Sequence, residues 1–255
     1  MKTLQVRRAA PFLMVAVALS LAPVGLNAQA GRGAPAAPAN AKAAAPVDLT
    51  GQWVAVVTED WRYRMVTPAK GDYASVPLNA DGRKMADTWD PAKDEAAGNQ
   101  CKSYGAAAVM RVPGRVRISW ADDETMKVET DAGTQTRMFY FKDPKSPGGD
   151  LQGQSQASWD IIGGGRGGPV RGGSLKVVTT KLKAGYLRKN GVPYSDKTVL
   201  TEYYDRTNEP NGDSWLVVTT VVDDPTYLNQ PFITSTHFKK QNDQSGWNPT
   251  ACAAR

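Results

Sequence analysis

The feature that most restricts how this chain can fold is a two-residue rhythm of apolar and polar side chains that returns in nine short stretches. In "RVRISW" (115–120), Val116, Ile118 and Trp120 share one face and Arg117 and Ser119 the other, the spacing of a half-buried strand. "TMKVET" (125–130) repeats it, and Asp122-Asp123 between the two makes a hairpin turn. "TQTRMFYF" (134–141) extends the meander after Asp131-Ala132-Gly133. "QWVAVVT", "SQASWDI", "SLKVVTT", "TVLTEYY", "SWLVVTTVV" and "FITSTHFKK" complete the set, each rich in β-branched or aromatic residues and bounded by turn formers. Strands that follow one another through short turns favour an all-β fold, an antiparallel up-and-down barrel whose closure removes exposed edges. A β-sandwich is the alternative. One stretch breaks the rhythm: Asn79 to Asp90, with Asn79 as cap and Met85 and Trp89 four apart, reads as a short helix that Pro91 ends.

The chain opens with Lys2, Arg7 and Arg8, an apolar run from Ala9 to Leu21, and Ala28-Gln29-Ala30. A basic start, a greasy middle and small residues at the end make residues 1–30 a secretory signal peptide, and the expected location periplasmic or secreted. The run is broken by Pro11 and Pro23 and is too short to span a bilayer. Residues 31–47, mostly alanine, proline and glycine, read as a flexible leader, and 48–255 as a single barrel domain. Loss of the three basic residues with the signal reduces the formal charge from +6 to about +3, too little to call for nucleic acid as a partner. Cys101 and Cys252 are the only cysteines and are expected to form a disulfide in an oxidising compartment.

"GGGRGGPVRGG" (163–173) resembles a phosphate loop only superficially. Such a loop needs glycines that lead into a helix, so that backbone N–H groups face the anion, whereas Gly173 leads into the strand-like "SLKVVTT". A hairpin turn is the expected role. His237 is the only histidine, which excludes metal sites built on two imidazoles. Neither a metal nor any other cofactor is called for. The candidates for proton transfer are His237, Glu202 and Asp205, the last two in "TEYYDR" (201–206). The alternation there puts Leu200, Glu202 and Tyr204 on one face and Thr201 and Tyr203 on the other, without saying which is interior. Trp53, Trp120, Trp159 and Trp215 lie in the expected strands and, with Tyr203 and Tyr204, are the candidates to contact a ligand. Tyr186 and Tyr194 would add hydroxyl groups to a mostly apolar pocket.

"DLTGQW" (48–53) resembles the G-x-W opening of lipocalins and related calycin barrels, carried here by Gly51 and Trp53, and Thr201-Glu202-Tyr203 is similar to their T-D-Y motif. The resemblance implies a tryptophan packed across the closed end of a barrel and a small hydrophobic ligand at the open end. The second motif is displaced along the chain, and no arginine occurs in the last expected strand to stack on Trp53. "GQSQASWD", "SLKVVTT", "LRKNGVPYSDKTVLTEYYDR" and "DDPTYLNQPF" resemble a group of exported bacterial β-proteins with no assigned activity. The expectation is therefore an exported lipocalin-like binding protein for a small apolar or amphipathic molecule. The alternative is a cofactor-independent isomerase, lyase or hydrolase using His237, Glu202 or Asp205. Oligomeric state is left open.

Overall fold

The computed structural model describes residues 38–165 and 168–255. The signal-peptide segment, the start of the leader, and Arg166-Gly167 in the glycine stretch lie outside the described residues. Nine strands close into a barrel: β1 (Gly51–Ala55), β2 (Arg115–Asp122), β3 (Thr125–Thr130), β4 (Gln135–Tyr140), β5 (Gln154–Gly163), β6 (Val170–Thr180), β9 (Val199–Asn208), β10 (Ser214–Asp223) and β11 (Phe232–Gln241). These are the nine rhythmic stretches. A two-stranded hairpin, β7 (Gly185–Arg188) and β8 (Val192–Tyr194), is inserted between β6 and β9 and stands outside the barrel.

The order around the barrel is β1-β11-β10-β9-β6-β5-β4-β3-β2. A ring of nine strands cannot alternate in direction all the way round, so at least one neighbouring pair must run parallel. That pair is β4 with β5, aligned at Phe139 with Ser155 and Tyr140 with Gln156. The expected barrel forms, and this one parallel pair is its departure from a fully antiparallel meander. Residues 141–153, rich in Pro and Gly, form the crossover that a parallel pair requires in place of a tight turn.

The helical content also exceeds the one helix expected. Asn79 caps α2 (Ala80–Asp87), its side chain accepting from the Gly82 amide at 2.8 Å. Pro91, expected only as a stop, instead opens α3 (Pro91–Ala96), where its missing N–H costs nothing, behind the Asp90 cap. The single turns α1 (Trp61–Arg64) and α4 (Ala106–Val109) and a 3₁₀ turn at Lys102–Tyr104 complete a cap. Tyr73, Leu78, Ala86, Leu187, Val192 and Tyr194 of this cap pack with Leu200, Val222 and Phe232 of the barrel wall. The Cys101–Cys252 disulfide is formed, with Cα atoms 5.0 Å apart.

A second apolar cluster fills the barrel around Trp53, Phe139, Leu175, Tyr204, Leu216 and Phe238. Segment 40–49 crosses the barrel end where Trp120, Phe141 and Trp159 pack together, ring centroids 5.2–6.4 Å apart. Trp159 Nε1 donates to the Ala41 carbonyl at 2.8 Å, the Lys42 amide donates to Asp123 O at 3.1 Å, and Leu49 is fully buried. Residues 40–47, expected to belong to a flexible leader, are thus held against the barrel. Burial of Ala41 and the acceptors of the β2–β3 turn, the Asp123 carbonyl and the Asp123 and Glu124 carboxylates, supply the reason. Gly163 and Gly164, at φ 89° and 75°, lie at the end of the long β5–β6 hairpin. The expected turn therefore lies in this hairpin, and Gly173 follows in strand β6.

Candidate functional site

The structure separates the three proposed proton-transfer residues. Glu202 points into the barrel and is fully buried. Arg137 Nη1 and Nη2 donate to its Oε1 and Oε2 at 2.8 and 2.6 Å, and the Tyr204 hydroxyl donates to Oε1 at 3.1 Å. Burial opposes the Arg137 charge, but Glu202 and Tyr204 beside it outweigh that and raise its pKa. Burial and the Glu202 carboxylate push the Tyr204 phenol well above its ordinary value. Asp205 and His237 lie on the outer face instead, both aligned with Val217 across β9, β10 and β11. Two strand spacings, about 10 Å, separate their backbones. Asp205 accepts from the Ser174 hydroxyl, and His237 Nδ1 pairs with Glu59. No Ser-His-Asp relay arises from these side chains, because the serine and the histidine take different carboxylates.

The six aromatic candidates are dispersed as well. Trp53 and Tyr204 expose no surface. A side chain that borders even a closed chamber of ligand size exposes surface into it, so these two are core residues. Trp53 Nε1 donates to the Leu49 carbonyl at 3.0 Å, and the Lys240 ammonium of the last strand lies 5.4 Å from its ring. Trp120 and Trp159 are half-buried beneath segment 40–49. Trp215 and Tyr203 lie on the outer face, each beneath a lysine, Lys239 and Lys176. The structure does not bring the six together around one ligand.

A different constellation forms under the cap. Met85 of α2, Lys102 of the 3₁₀ turn, Tyr186 of β7, Pro193 and Tyr194 of β8, and Tyr227 of the β10–β11 connection line a groove of about 150 Å³. Its walls are largely apolar, and its one charged corner is built. Lys102 Nζ donates to Asp94 Oδ1 at 2.8 Å, the Tyr186 hydroxyl donates to Asp94 Oδ2 at 2.7 Å, and the ammonium sits 5.2 Å from the Tyr186 ring. Burial, then the hydrogen bond to Asp94, raises the Tyr186 pKa, so the phenol stays protonated. Burial does the same to Tyr194, whose hydroxyl has no hydrogen-bond partner among the described residues. A Cβ on Gly105 or Gly185 would fall 2.1 or 2.6 Å from that hydroxyl, so the two glycines let the ring reach its position.

Sequence reasoning named Tyr186 and Tyr194 as pocket residues but not Met85, Lys102, Asp94 or Tyr227 as their neighbours. Asp223-Asp224-Pro225 has the composition of a plain turn. Asp224 is buried and ties two connections together, accepting from the Ser195 amide and hydroxyl at 2.5 and 2.9 Å, the Thr198 hydroxyl at 3.1 Å and the Thr226 amide at 2.8 Å.

The fold and this groove define a filled nine-stranded barrel with a helical cap that carries a small aromatic-walled recess. Neither a family model, nor a curated protein, nor a solved structure matches the chain.

Proposed function

We propose that the chain is an exported binding protein for a small amphipathic molecule, and that the binding site is the tyrosine-walled groove of the cap and not the barrel interior. The observation that carries this reading is the groove itself. Its volume of about 150 Å³ suits a single six-membered ring, the size of cavity known to take benzene. Aromatic and thioether walls supply the apolar contact, and the Lys102 ammonium at one corner supplies a donor for a polar or anionic substituent. Export rests on the pattern of residues 1–30, and the Cys101–Cys252 bridge is in keeping with an oxidising compartment. The lipocalin-like part of the reading is confined to barrel form and to a cation over Trp53, because the interior has no room left for a guest.

The test is titration with simple ring compounds, 4-hydroxybenzoate and indole, followed by amide chemical shifts of the full chain. Perturbation centred on Gly185, Tyr186 and Tyr227, abolished in Tyr227→Ala, supports the reading. Absence of any saturable shift with either probe, together with no small molecule copurifying by mass spectrometry, overturns it.

A further inference from the structure

On the other side of the 3₁₀ turn, three arginines converge with an excess of positive charge. Arg64 of α1 is 9% exposed and Arg188 at the end of β7 is 5% exposed. Buried guanidinium groups are ordinarily matched by carboxylates, because an uncompensated buried charge is costly. Neither has an acidic hydrogen-bonding partner among the described residues. Arg64 Nη1 donates to the Val56 carbonyl at 2.6 Å and Nε to the Arg111 carbonyl at 3.1 Å, while the buried Nη2 has no partner. Arg188 Nη1 donates to the Ala74 carbonyl at 2.7 Å, its guanidinium lies 4.2 Å from the centre of the Tyr63 ring, and its buried Nε has no partner.

Arg111, which follows α4, and Lys189, which follows β7, face the same cleft together with Ser103 and Tyr63, and no carboxylate lines it. Of the acids nearby, one offsets a charge of the cluster itself and two are engaged elsewhere. Asp60 pairs with Arg111, Glu59 with His237, and Asp72 with Arg62. Burial, then the charge of Arg111, lowers the pKa of both Arg64 and Arg188, the mark of cations held together without full compensation.

We infer that this cleft binds a small oxyanion, a carboxylate or phosphate group, between Arg64, Arg111 and Arg188, with Lys189 and Ser103 at its rim. The forked donors of guanidinium match the oxygens of such groups, and Arg64 and Arg188 each keep one buried N–H without a protein partner among the described residues. The free volume of about 30 Å³ is that of about one water molecule, so one oxygen of the anion enters between the arginines while the rest of the group stays at the mouth beside Lys189 and Ser103. The site is separate from the tyrosine groove. Lys102 faces the groove and Ser103, one residue on, faces the cleft.

The experiment is calorimetric and thermal titration of the full chain with inorganic phosphate and, separately, sodium acetate, with sodium chloride at matched ionic strength as control. Saturable binding of phosphate or acetate, with a rise in melting temperature that chloride does not reproduce, is expected. Phosphate bound without acetate identifies a tetrahedral anion, and acetate without phosphate a planar one. Arg188→Gln should weaken binding at least about tenfold through the lost charged hydrogen bonds. Since Arg188 also holds the Ala74 carbonyl, Lys189→Gln serves as the second variant, expected to fold and to weaken binding less. No saturable binding to the wild-type chain, or binding unchanged in both variants, overturns the proposal.

Discussion

Arg137 and Glu202 face each other as a two-pronged ion pair inside the barrel, with side chains 1% and 0% exposed. They sit on β4 and β9, and Ser155 of β5 and Thr179 of β6 stand between them in the wall. Arg137 Nη2 also donates to Thr179 Oγ1 at 3.2 Å, and the Ser155 and Thr179 hydroxyls are 2.8 Å apart. Four successive strands thus share one polar belt between two apolar clusters. The belt is buried, and Glu202 is closed off from solvent behind its ion pair.

Breaking such a pair on one side leaves a bare charge in the core. Arg137→Met alone or Glu202→Leu alone should therefore lower unfolding stability by about 3–5 kcal/mol, while the double variant should lose much less. Urea unfolding of the three variants measures it. Strictly additive losses would show that the two side chains do not compensate each other.

The wall of the barrel was legible in the sequence because every strand has one face on a filled core, and alternation reports that directly. The direction of Glu202 was not, since Leu200 and Tyr204 argued for burial of its face and its charge argued against. Arg137 is the missing clue. It shares a face with Phe139, so two strands each carry a fully buried charge, of opposite sign, on an apolar face. The cap was read poorly for a different reason. Helices of four residues carry too little periodicity to register, and most of their order comes from tertiary packing. The groove draws its walls from segments between Met85 and Tyr227, a meeting that no local pattern encodes.

Tyr194 and Gly105 should show strong coupling. Gly105→Ala places a methyl group 2.1 Å from the Tyr194 hydroxyl and 2.9 Å from the Leu151 carbonyl, and overpacking of this kind costs about 1–3 kcal/mol or more. Tyr194→Phe removes only a hydroxyl without a partner and should be neutral or stabilising. In the background of Tyr194→Phe, Gly105→Ala should be milder than in the wild-type chain. Denaturant melts of the four proteins give the coupling, and an unchanged cost of Gly105→Ala would show that the carbonyl, and not the hydroxyl, is the obstacle.

Alkali should unfold the cap through its tyrosines. Burial and a hydrogen bond to Asp87 at 2.7 Å push Tyr73 up to about 12, against about 10 for an unfolded tyrosine. Below pH 10 the phenol is protonated in both states and its contribution is fully present. Between pH 10 and about 12 only the unfolded chain releases the proton, so stability falls as pH rises through that window. Tyr186, Tyr194 and Tyr204, raised in the same direction, steepen the fall. Guanidinium unfolding at pH 9, 10 and 11 should show this loss, and Tyr73→Phe should make it shallower. An equal slope in that variant would assign the loss to the other three.

The Cys101–Cys252 bridge closes a separation of 151 residues, for which loop entropy gives about 5 kcal/mol, the upper end of what one disulfide contributes. In a domain of this size that corresponds to about 10–20 °C in melting temperature. The tail has other holds: the Thr250 amide donates to Asp131 O at 2.9 Å and the Thr134 hydroxyl to Thr250 O at 2.9 Å. A Cys101→Ser/Cys252→Ser variant should therefore still fold, with the tail in place at low temperature and a melting point lowered by up to that range. Because Cys101 directly precedes the turn that carries Lys102 and Ser103, loosening of that turn should weaken ring-compound and phosphate binding before the barrel melts. Simultaneous loss of both ligands and of barrel structure in one transition would show instead that cap and barrel unfold as a unit.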